Sequence, residues 1–160
     1  MDKIVFITGA SSGIGAGCAR KFASQGASLI LNARNVNKLS ALKEELEKQY
    51  GAKIYLLPFD VRDRKAATSA LESLPKEWQS IDILVNNAGL VIGTDKEQEG
   101  SLDEWDIVID TNIKALLAMT RLIVPGMVER KRGHIINIGS IAGDAAYPGG
   151  SVYCATKAAV

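Results

Sequence analysis

The sequence is poor in histidine and cysteine, with one His and two Cys among its 160 residues. Two cysteines are too few for the disulfide framework of a small secreted protein. They predict a reducing compartment, which we take to be the cytoplasm. One His and two separated Cys also provide no cluster of ligands for a metal ion.

The chain also lacks a long hydrophobic run and an excess of one charge. No stretch reaches the roughly 18 apolar residues of a transmembrane helix, and the first apolar run, residues 4–7, is shorter than a signal-peptide core. The 19 basic and 18 acidic residues leave a net charge of +1. A protein that coats nucleic acid or an anionic membrane shows a basic excess, so we expect neither as a partner.

What the sequence does contain is a globular composition, 47% hydrophobic and 23% charged, arranged as alternating strands and helices. Short apolar runs begin near residues 3, 28, 53, 82 and 134, and segments of helical spacing separate them. Strands that are apolar on both faces and alternate with helices indicate a parallel sheet covered on both sides. We therefore predict an α/β fold with a doubly wound, Rossmann-like sheet, and place residues 1–160 in a single domain.

Two helices are predicted between the fourth and fifth strands. Ser101 and Glu104 have the spacing of a capping box and open the first helix, which carries Trp105 and Val108 on one face. The second helix is predicted from about Ile113 to Arg130, where the glycine that follows shortly afterwards ends it.

A glycine-rich turn, Thr8-Gly9-Ala10-Ser11-Ser12-Gly13-Ile14-Gly15, joins the first strand to a helix. Glycines let the backbone approach a pyrophosphate, and the N–H groups at the start of the helix hold that anion. The spacing is G-x-x-x-G-x-G and not G-x-G-x-x-G, and no Lys-Ser/Thr follows it as in a P-loop. The turn predicts dinucleotide binding, with an ordinary helix start as the alternative.

The end of the second strand indicates which dinucleotide binds. An acid at this point favours the free ribose of NAD, whereas an arginine suits the 2′-phosphate of NADP. The strand ends in Asn32-Ala33-Arg34-Asn35, without an acid. We therefore predict NADP in preference to NAD, with a merely solvated Arg34 as the alternative.

A tyrosine and a lysine four residues apart, Tyr153 and Lys157, share one face of the final helix. A cation one turn away favours the phenolate, which can take a proton from an alcohol as hydride leaves its carbon. Ser140 follows the fifth strand, at the edge where open α/β sheets bind ligands, and can hydrogen-bond the same oxygen. Ser140 alone reads as a helix cap and Lys157 alone as a surface residue. Together, behind a nucleotide turn, they predict catalysis. Cys154 is interpreted as a packing residue.

These features together resemble the short-chain dehydrogenase/reductase family, through TGASSGIG at residues 8–15, NNAG at 86–89, Asn112, Ser140 and YCATK at 153–157. The resemblance implies that Tyr153 is the general acid/base, that Lys157 binds the nicotinamide ribose, and that Ser140 orients the substrate oxygen. It also implies that Asn112 holds a water in the proton relay. The implied cofactor contacts are Gly9, Ser11, Ser12, Gly13, Ile14 and Gly15 for the phosphates, Asp60 and Val61 for adenine, Asn87, Ala88 and Gly89 for the ribose side, and Arg34 with Asn35 for the 2′-phosphate. Many NADP-binding members have a basic residue where Ser12 stands, so the choice of coenzyme rests mainly on Arg34.

Three longer stretches, LPKEWQSIDILVNNAG, PGMVERKRGHIINIGSIAG and AYPGGSVYCATKAAV, are similar to the NADP-dependent 3-hydroxy acid dehydrogenases. That similarity implies oxidation of L-serine, L-allo-threonine or 3-hydroxypropionate at the 3-hydroxyl. The alternatives are another carbonyl substrate, such as a sugar or a 3-oxoacyl ketone, and an inactive nucleotide-binding regulator. The family forms dimers or tetramers and continues beyond the Tyr–Lys helix. We therefore expect this chain to be the front part of a catalytic protein of about 250 residues.

Overall fold

The computed structural model describes residues 3–160, so the first two residues of the predicted domain lie outside the described chain. Five parallel strands form one sheet in the order β3-β2-β1-β4-β5. This order confirms the predicted doubly wound sheet. Because the winding reverses between β1 and β4, a crevice opens at their carboxyl ends. The strands are β1 (Ile4–Ile7), β2 (Ser28–Leu31), β3 (Ile54–Leu56), β4 (Ile81–Asn86) and β5 (His134–Asn137).

Six α-helices connect or follow these strands, and side-chain caps define where several of them begin. The Asn35 side chain accepts a hydrogen bond from the Lys38 N–H, and the Asp63 side chain accepts one from the Ala66 N–H. Such caps satisfy N–H groups that have no partner inside the helix. The helices are α1 (Gly13–Ser24), α2 (Val36–Tyr50), α3 (Arg64–Glu72), α4 (Leu102–Ile109), α5 (Leu116–Glu129) and α6 (Ser151–Ala159).

The hydrophobic core has two layers, one on each face of the sheet. Successive side chains of a strand point to opposite faces, so Val5 and Ile7 of β1 pack in one layer and Phe6 packs in the other. The first layer is completed by α1 and α2, through Ala16, Ala19, Ala23, Leu39, Leu42 and Leu46. The second is completed by α3 and α5, through Ala67, Met119, Ile123 and Met127. Helices on both faces confirm the predicted layering.

The prediction of two separate helices after β4 was wrong at their junction. A π-helical turn, Asp110–Ala115, joins α4 to α5 without a break. The segment has no proline or glycine that would end a helix. π-helical turns insert one extra residue and are common at functional sites. The predicted cap of α4 is present, since the Ser101 side chain accepts the Glu104 N–H at 3.4 Å.

Strand β5 differs from the other four because it lies at an edge of the sheet and is largely exposed. His134, Ile135 and Asn137 are all exposed, whereas every residue of β4 is buried. Strand β4 is thus buried on both faces, whereas β5 stays largely exposed among residues 3–160. Among residues 3–160, no helix has both the length and the apolar character that a membrane span requires.

Candidate active site

The glycine turn occupies the short gap between β1 and α1, at the reversal point of the sheet. Gly9 has φ of +63° and Gly13 has φ of +53°, backbone conformations that L side chains rarely adopt. A Cβ on Gly9 would lie 2.9 Å from both the Ala88 Cα and the Asn87 Nδ2. The turn therefore depends on glycine for its conformation and for its close approach to the chain after β4.

The amino terminus of α1 is left available for an anion. Whereas side chains cap α2 and α3, the Ser12 side chain makes no capping hydrogen bond within the described chain, and the first turn of α1 contains no acid. The free N–H groups and the positive end of the helix dipole attract negative charge at this point. This arrangement fits the phosphate-binding role that the sequence predicts for the turn.

Thr8 and Asn87 hold the glycine turn against the chain that follows β4. The Asn87 Nδ2 donates to the main-chain oxygens of Thr8 and Gly9, at 2.9 and 3.0 Å. The Thr8 Oγ1 in turn accepts the N–H groups of Asn87 and Ala88, both at 3.0 Å. Two segments about 80 residues apart in sequence therefore form one rigid wall.

A groove of about 790 Å³ runs along this wall. Its volume lies within the range of about 300–1,000 Å³ that is typical of ligand and cofactor sites. It brings together most of the predicted cofactor residues: Gly9, Ser11, Ser12, Gly13, Ile14, Arg34, Asn35, Asp60, Val61, Asn87, Ala88, Gly89, Tyr153 and Lys157. Of the predicted site residues in the described chain, Gly15, Asn112 and Ser140 do not line it.

Gly15 contributes to packing one turn into α1. A Cβ at this position would overlap the Gly9 main-chain oxygen and lie 2.5 Å from the Asn87 Nδ2. The absence of a side chain at Gly15 therefore lets α1 approach the turn closely.

The end of the groove near β2 and β3 contains two arginines and one acid. Arg34, which follows β2, has a side chain that is 67% exposed, and its Nη1 lies 3.8 Å from the Asp60 Oδ2. Arg62 contacts the same carboxylate more closely, with its Nη2 2.7 Å from Oδ2. Asn35 lines the groove, although its Oδ1 is already engaged as the cap of α2.

Hydrogen bonds at the ends of β2 and β3 position Asp60, and the Arg62 side chain favours the ionised form of its carboxyl. The Asn32 Nδ2 donates to the oxygens of Leu57 and Phe59, which ties the chain after β3 to the end of β2. Hydrogen bonds from the Arg62 side chain lower the pKa of the Asp60 carboxyl below its ordinary value. Asp60 is therefore a carboxylate that accepts hydrogen bonds and cannot donate one at neutral pH.

Tyr153 and Lys157 lie together at the opposite end of the groove. The Lys157 Nζ is 6.0 Å from the centre of the Tyr153 ring and donates to the Ile138 main-chain oxygen at 2.8 Å. Burial lowers the pKa of the Lys157 amine below its ordinary value. Ile138 directly follows β5, so this hydrogen bond fixes α6 to the carboxyl edge of the sheet.

Asn112 lies in the π-helical turn and is 2% exposed. Its side chain bridges two other segments: Oδ1 accepts the Leu90 N–H and Nδ2 donates to the Leu90 oxygen, both at 2.9 Å. Nδ2 also donates to the Thr156 Oγ1 at 3.0 Å. Both side-chain N–H groups of Asn112, the residue that is predicted to hold a relay water, therefore bond to protein partners.

Ser140 begins a short 3₁₀ turn, Ile141–Gly143, and its Oγ accepts the Ala142 N–H at 3.1 Å. This is the capping role that the serine has when it is considered alone. Its hydroxyl hydrogen remains available for another acceptor in this geometry. Gly139, the preceding residue, lines the groove. Cys154 is buried and Cys18 is half-buried, and neither forms a disulfide.

Sequence analysis missed several residues that the fold brings to this region, and three of them make contacts used below. Arg62 and Ile138 line the groove, and Thr156 links Asn112 to α6. Arg62 comes two residues after Asp60, and this proximity to a cofactor residue was the available signal. Ile138 acts through its main-chain oxygen and Thr156 through a distant partner, so their side-chain types carried no signal.

Residues 3–160 contain no group of three or more His, Cys, Asp or Glu side chains that could hold a metal ion. The groove combines the glycine turn with a tyrosine and a lysine.

Comparison with known proteins identifies the family of this chain. Residues 3–160 match the family model described as short chain dehydrogenase. The chain belongs to this family. The match extends over both ends of the groove, from the glycine turn to the Tyr–Lys helix.

Among curated short-chain dehydrogenases, the chain is 50% identical over 157 residues to the NADP-dependent 3-hydroxy acid dehydrogenase YdfG of Escherichia coli strain K12. It is 45% identical over 159 residues to the NADP-dependent 3-hydroxy acid dehydrogenase of Schizosaccharomyces pombe. These alignments include 98% and 99% of this chain, but they span 62% and 61% of the relatives.

Solved short-chain dehydrogenase structures agree with this result. The crystal structure of serine dehydrogenase from Escherichia coli superposes with a TM-score of 0.91 at 50% identity, covering 97% of this chain and 70% of that one. The closed form of serine dehydrogenase complexed with NADP⁺ gives a TM-score of 0.89 at 49% identity, covering 97% of this chain and 61% of that one.

Proposed function

We propose that this protein is an NADP-dependent oxidoreductase that oxidises the 3-hydroxyl of a small 3-hydroxy acid, or reduces the corresponding carbonyl. Candidate substrates are L-serine, L-allo-threonine and 3-hydroxypropionate. The observation that carries the proposal is the placement of Tyr153 and Lys157 at one end of a groove whose other wall is an anion-binding glycine turn. The similarity to NADP-dependent 3-hydroxy acid dehydrogenases supports NADP and the 3-hydroxy acid class.

The proposed reaction assigns the proton to Tyr153. In the oxidation direction its phenolate oxygen accepts the proton of the substrate hydroxyl, and in reduction it returns that proton to the forming alkoxide. Bound NADP⁺ supplies the acceptor for the hydride that leaves the hydroxyl-bearing carbon. The alcohol loses one proton and one hydride and becomes a carbonyl, so atoms and electrons balance.

Two neighbours support Tyr153 in this proposal. The cationic Lys157, 6.0 Å from the ring centre, stabilises negative charge on the tyrosine. Because the Lys157 Nζ is already held by the Ile138 oxygen, the amine is oriented before any ligand binds. Ser140 is assigned to the substrate oxygen, where its hydroxyl donates as charge develops. Asn112 is assigned to hold a water in the proton relay, and the hydrogen bonds of its side chain to Leu90 and Thr156 fix its position.

The preference for NADP rests on Arg34. Its guanidinium is exposed at the groove, next to the end of β2, where the ribose of a dinucleotide lies in sheets of this type. A planar cation with several donors suits a phosphate dianion.

The proposal includes a homodimer or homotetramer. On α5, Leu117 and Val128 are 60% and 67% exposed, and eleven residues place them on one face of the helix. Exposed aliphatic side chains on one helix face suit a contact with a second subunit. A monomer in sedimentation equilibrium would contradict this part of the proposal.

The proposal is tested by comparing turnover of the wild type with that of a variant that lacks the Tyr153 hydroxyl. Wild type, Tyr153→Phe and the remote control Tyr50→Phe are mixed with NADP⁺ and each 3-hydroxy acid, and the absorbance of reduced nicotinamide is followed. Loss of the proton acceptor is expected to lower kcat by about 10²–10⁴-fold. Cofactor affinity should remain within about twofold, since the ring stays in place, and Tyr50→Phe should match wild type.

Other outcomes separate the alternatives. Turnover with a sugar or a 3-oxoacyl ketone but with no hydroxy acid would reassign the substrate. A similar fold, at 33% identity and a TM-score of 0.89, occurs in L-sorbose reductase from Gluconobacter frateurii, so L-sorbose with NADPH belongs in the panel. NADPH binding without turnover of any substrate would contradict the proposed enzymatic activity and favour a nucleotide-binding regulator.

A further inference from the structure

An acid in the groove opposes the binding of a phosphate. Asp60 lies beside Arg34, with 3.8 Å between the carboxylate and the guanidinium. Asp60 follows β3, where the family resemblance implies contact with adenine, but a carboxylate this close to Arg34 repels any phosphate that binds there. If Asp60 acted alone, it would cancel much of the positive field of Arg34 and compete with the phosphate for its donors.

The Asp60 carboxylate accepts its hydrogen bonds mainly from Arg62. Its main-chain N–H and its Nε donate to Oδ1 of Asp60 at 3.0 and 3.1 Å, and its Nη2 donates to Oδ2 at 2.7 Å. Arg34, in contrast, makes no hydrogen bond to this carboxylate among the described residues and keeps a 67% exposed side chain. Charge-assisted, bidentate pairs are the stronger kind, so Asp60 is paired mainly with Arg62, and Arg34 keeps only the longer 3.8 Å ion pair with it.

We propose that Arg62 is a selectivity residue for the coenzyme: by neutralising Asp60, it leaves Arg34 available for the 2′-phosphate of NADP. This inference rests on the NADP-dependence proposed above. Arg62 acts through Asp60 and is a positioning residue, since its Nε and Nη2 are both committed to the carboxylate. Arg34, Arg62 and Asp60 together give this end of the groove a net charge of +1, which favours binding of the anionic phosphate.

Removal of Arg62 would leave the Asp60 carboxylate to attract Arg34. The carboxylate would lose its bidentate partner while Arg34 lies only 3.8 Å away, so Arg34 would turn toward Asp60 and away from the ligand. The local charge would fall to zero. NADP would lose affinity for both reasons, whereas NAD, which has no 2′-phosphate, would be little affected.

The experiment measures the ratio of the dissociation constants of NAD⁺ and NADP⁺, because contacts with the shared adenine and ribose cancel in that ratio. Arg62→Gln is expected to lower the ratio by about tenfold, as the loss of a close charge partner predicts. Arg62→Lys keeps the charge and should retain most of the preference. Arg64→Gln is the matched control, since Arg64 is an exposed neighbour on α3 outside the groove. It should change the ratio less than about twofold.

Removing the acid separates an indirect role from a direct one. In the Asp60→Asn background, Arg62→Gln should change the ratio less than about twofold, because no carboxylate remains to neutralise. An equal loss in both backgrounds would overturn the inference and assign Arg62 to direct contact with the phosphate. An unchanged ratio in Arg62→Gln alone would also overturn it. A wild-type ratio near one would instead contradict the proposed NADP dependence itself.

Discussion

The Asn112–Thr156 hydrogen bond is a buried junction whose contribution to stability can be measured. Thr156 is 1% exposed, and its hydroxyl accepts from Asn112 Nδ2 at 3.0 Å and donates to the Tyr153 oxygen at 2.8 Å. Thr156→Val keeps the shape of the side chain but removes the acceptor. One N–H of a buried amide is then left without a partner.

The expected loss in the free energy of unfolding is about 1–3 kcal/mol, the cost of one unsatisfied buried polar group. The bond to the Tyr153 oxygen adds little, because that oxygen lies inside α6 and has a helical partner as well. Thr156→Ser keeps the hydroxyl and loses one buried methyl, so it should cost about 1 kcal/mol or less.

Urea unfolding, followed by tryptophan fluorescence, measures these differences. The decisive control is a double-mutant cycle with Asn112→Ala. If the hydrogen bond carries the effect, Thr156→Val should cost little once the amide is absent, with a coupling energy of about 1–2 kcal/mol. Equal costs of Thr156→Val in the two backgrounds would refute the reasoning and attribute the loss to packing.

Two further predictions concern the glycine turn and Asp60. Gly15→Ala should destabilise the protein by about 1–3 kcal/mol and weaken cofactor binding, because its Cβ would overlap the Gly9 oxygen. Gly17→Ala, in the same helix with no atom within 4 Å, should stabilise it by about 0.5–1 kcal/mol. Equal effects in urea unfolding would contradict this account. Because the folded-state pKa of Asp60 is lowered, its stabilisation is complete above about pH 3.9 and is lost as the pH falls through the folded value. Wild type should therefore lose more stability on acidification than Asp60→Asn, and parallel curves would contradict this.

The sheet and the glycine turn were predictable because both depend on local patterns. Apolar runs separated by helical spacing predict parallel strands, and the structure confirms all five within about two residues. The conformation of the turn requires positive φ at Gly9 and Gly13, which only glycine adopts readily.

The continuous helix through the π-helical turn was not predictable in the same way. Periodicity around residues 109–113 changes phase, which resembles the end of one helix and the start of another. The extra residue is accommodated because Asn112 bonds to Leu90 and Thr156, 22 and 44 residues away. No local pattern contains those partners.

The sequence by itself determined the fold class, the glycine turn and the pairing of Tyr153 with Lys157, because each depends on residues within one turn or one strand. Only the tertiary structure decided which charges meet at the groove. Arg34 and Asp60 follow different strands, and the parallel pairing of β2 with β3 brings them within 3.8 Å. Whether Arg34 is free then depends on Arg62, since an electrostatic balance is set by distances in space and not by order along the chain.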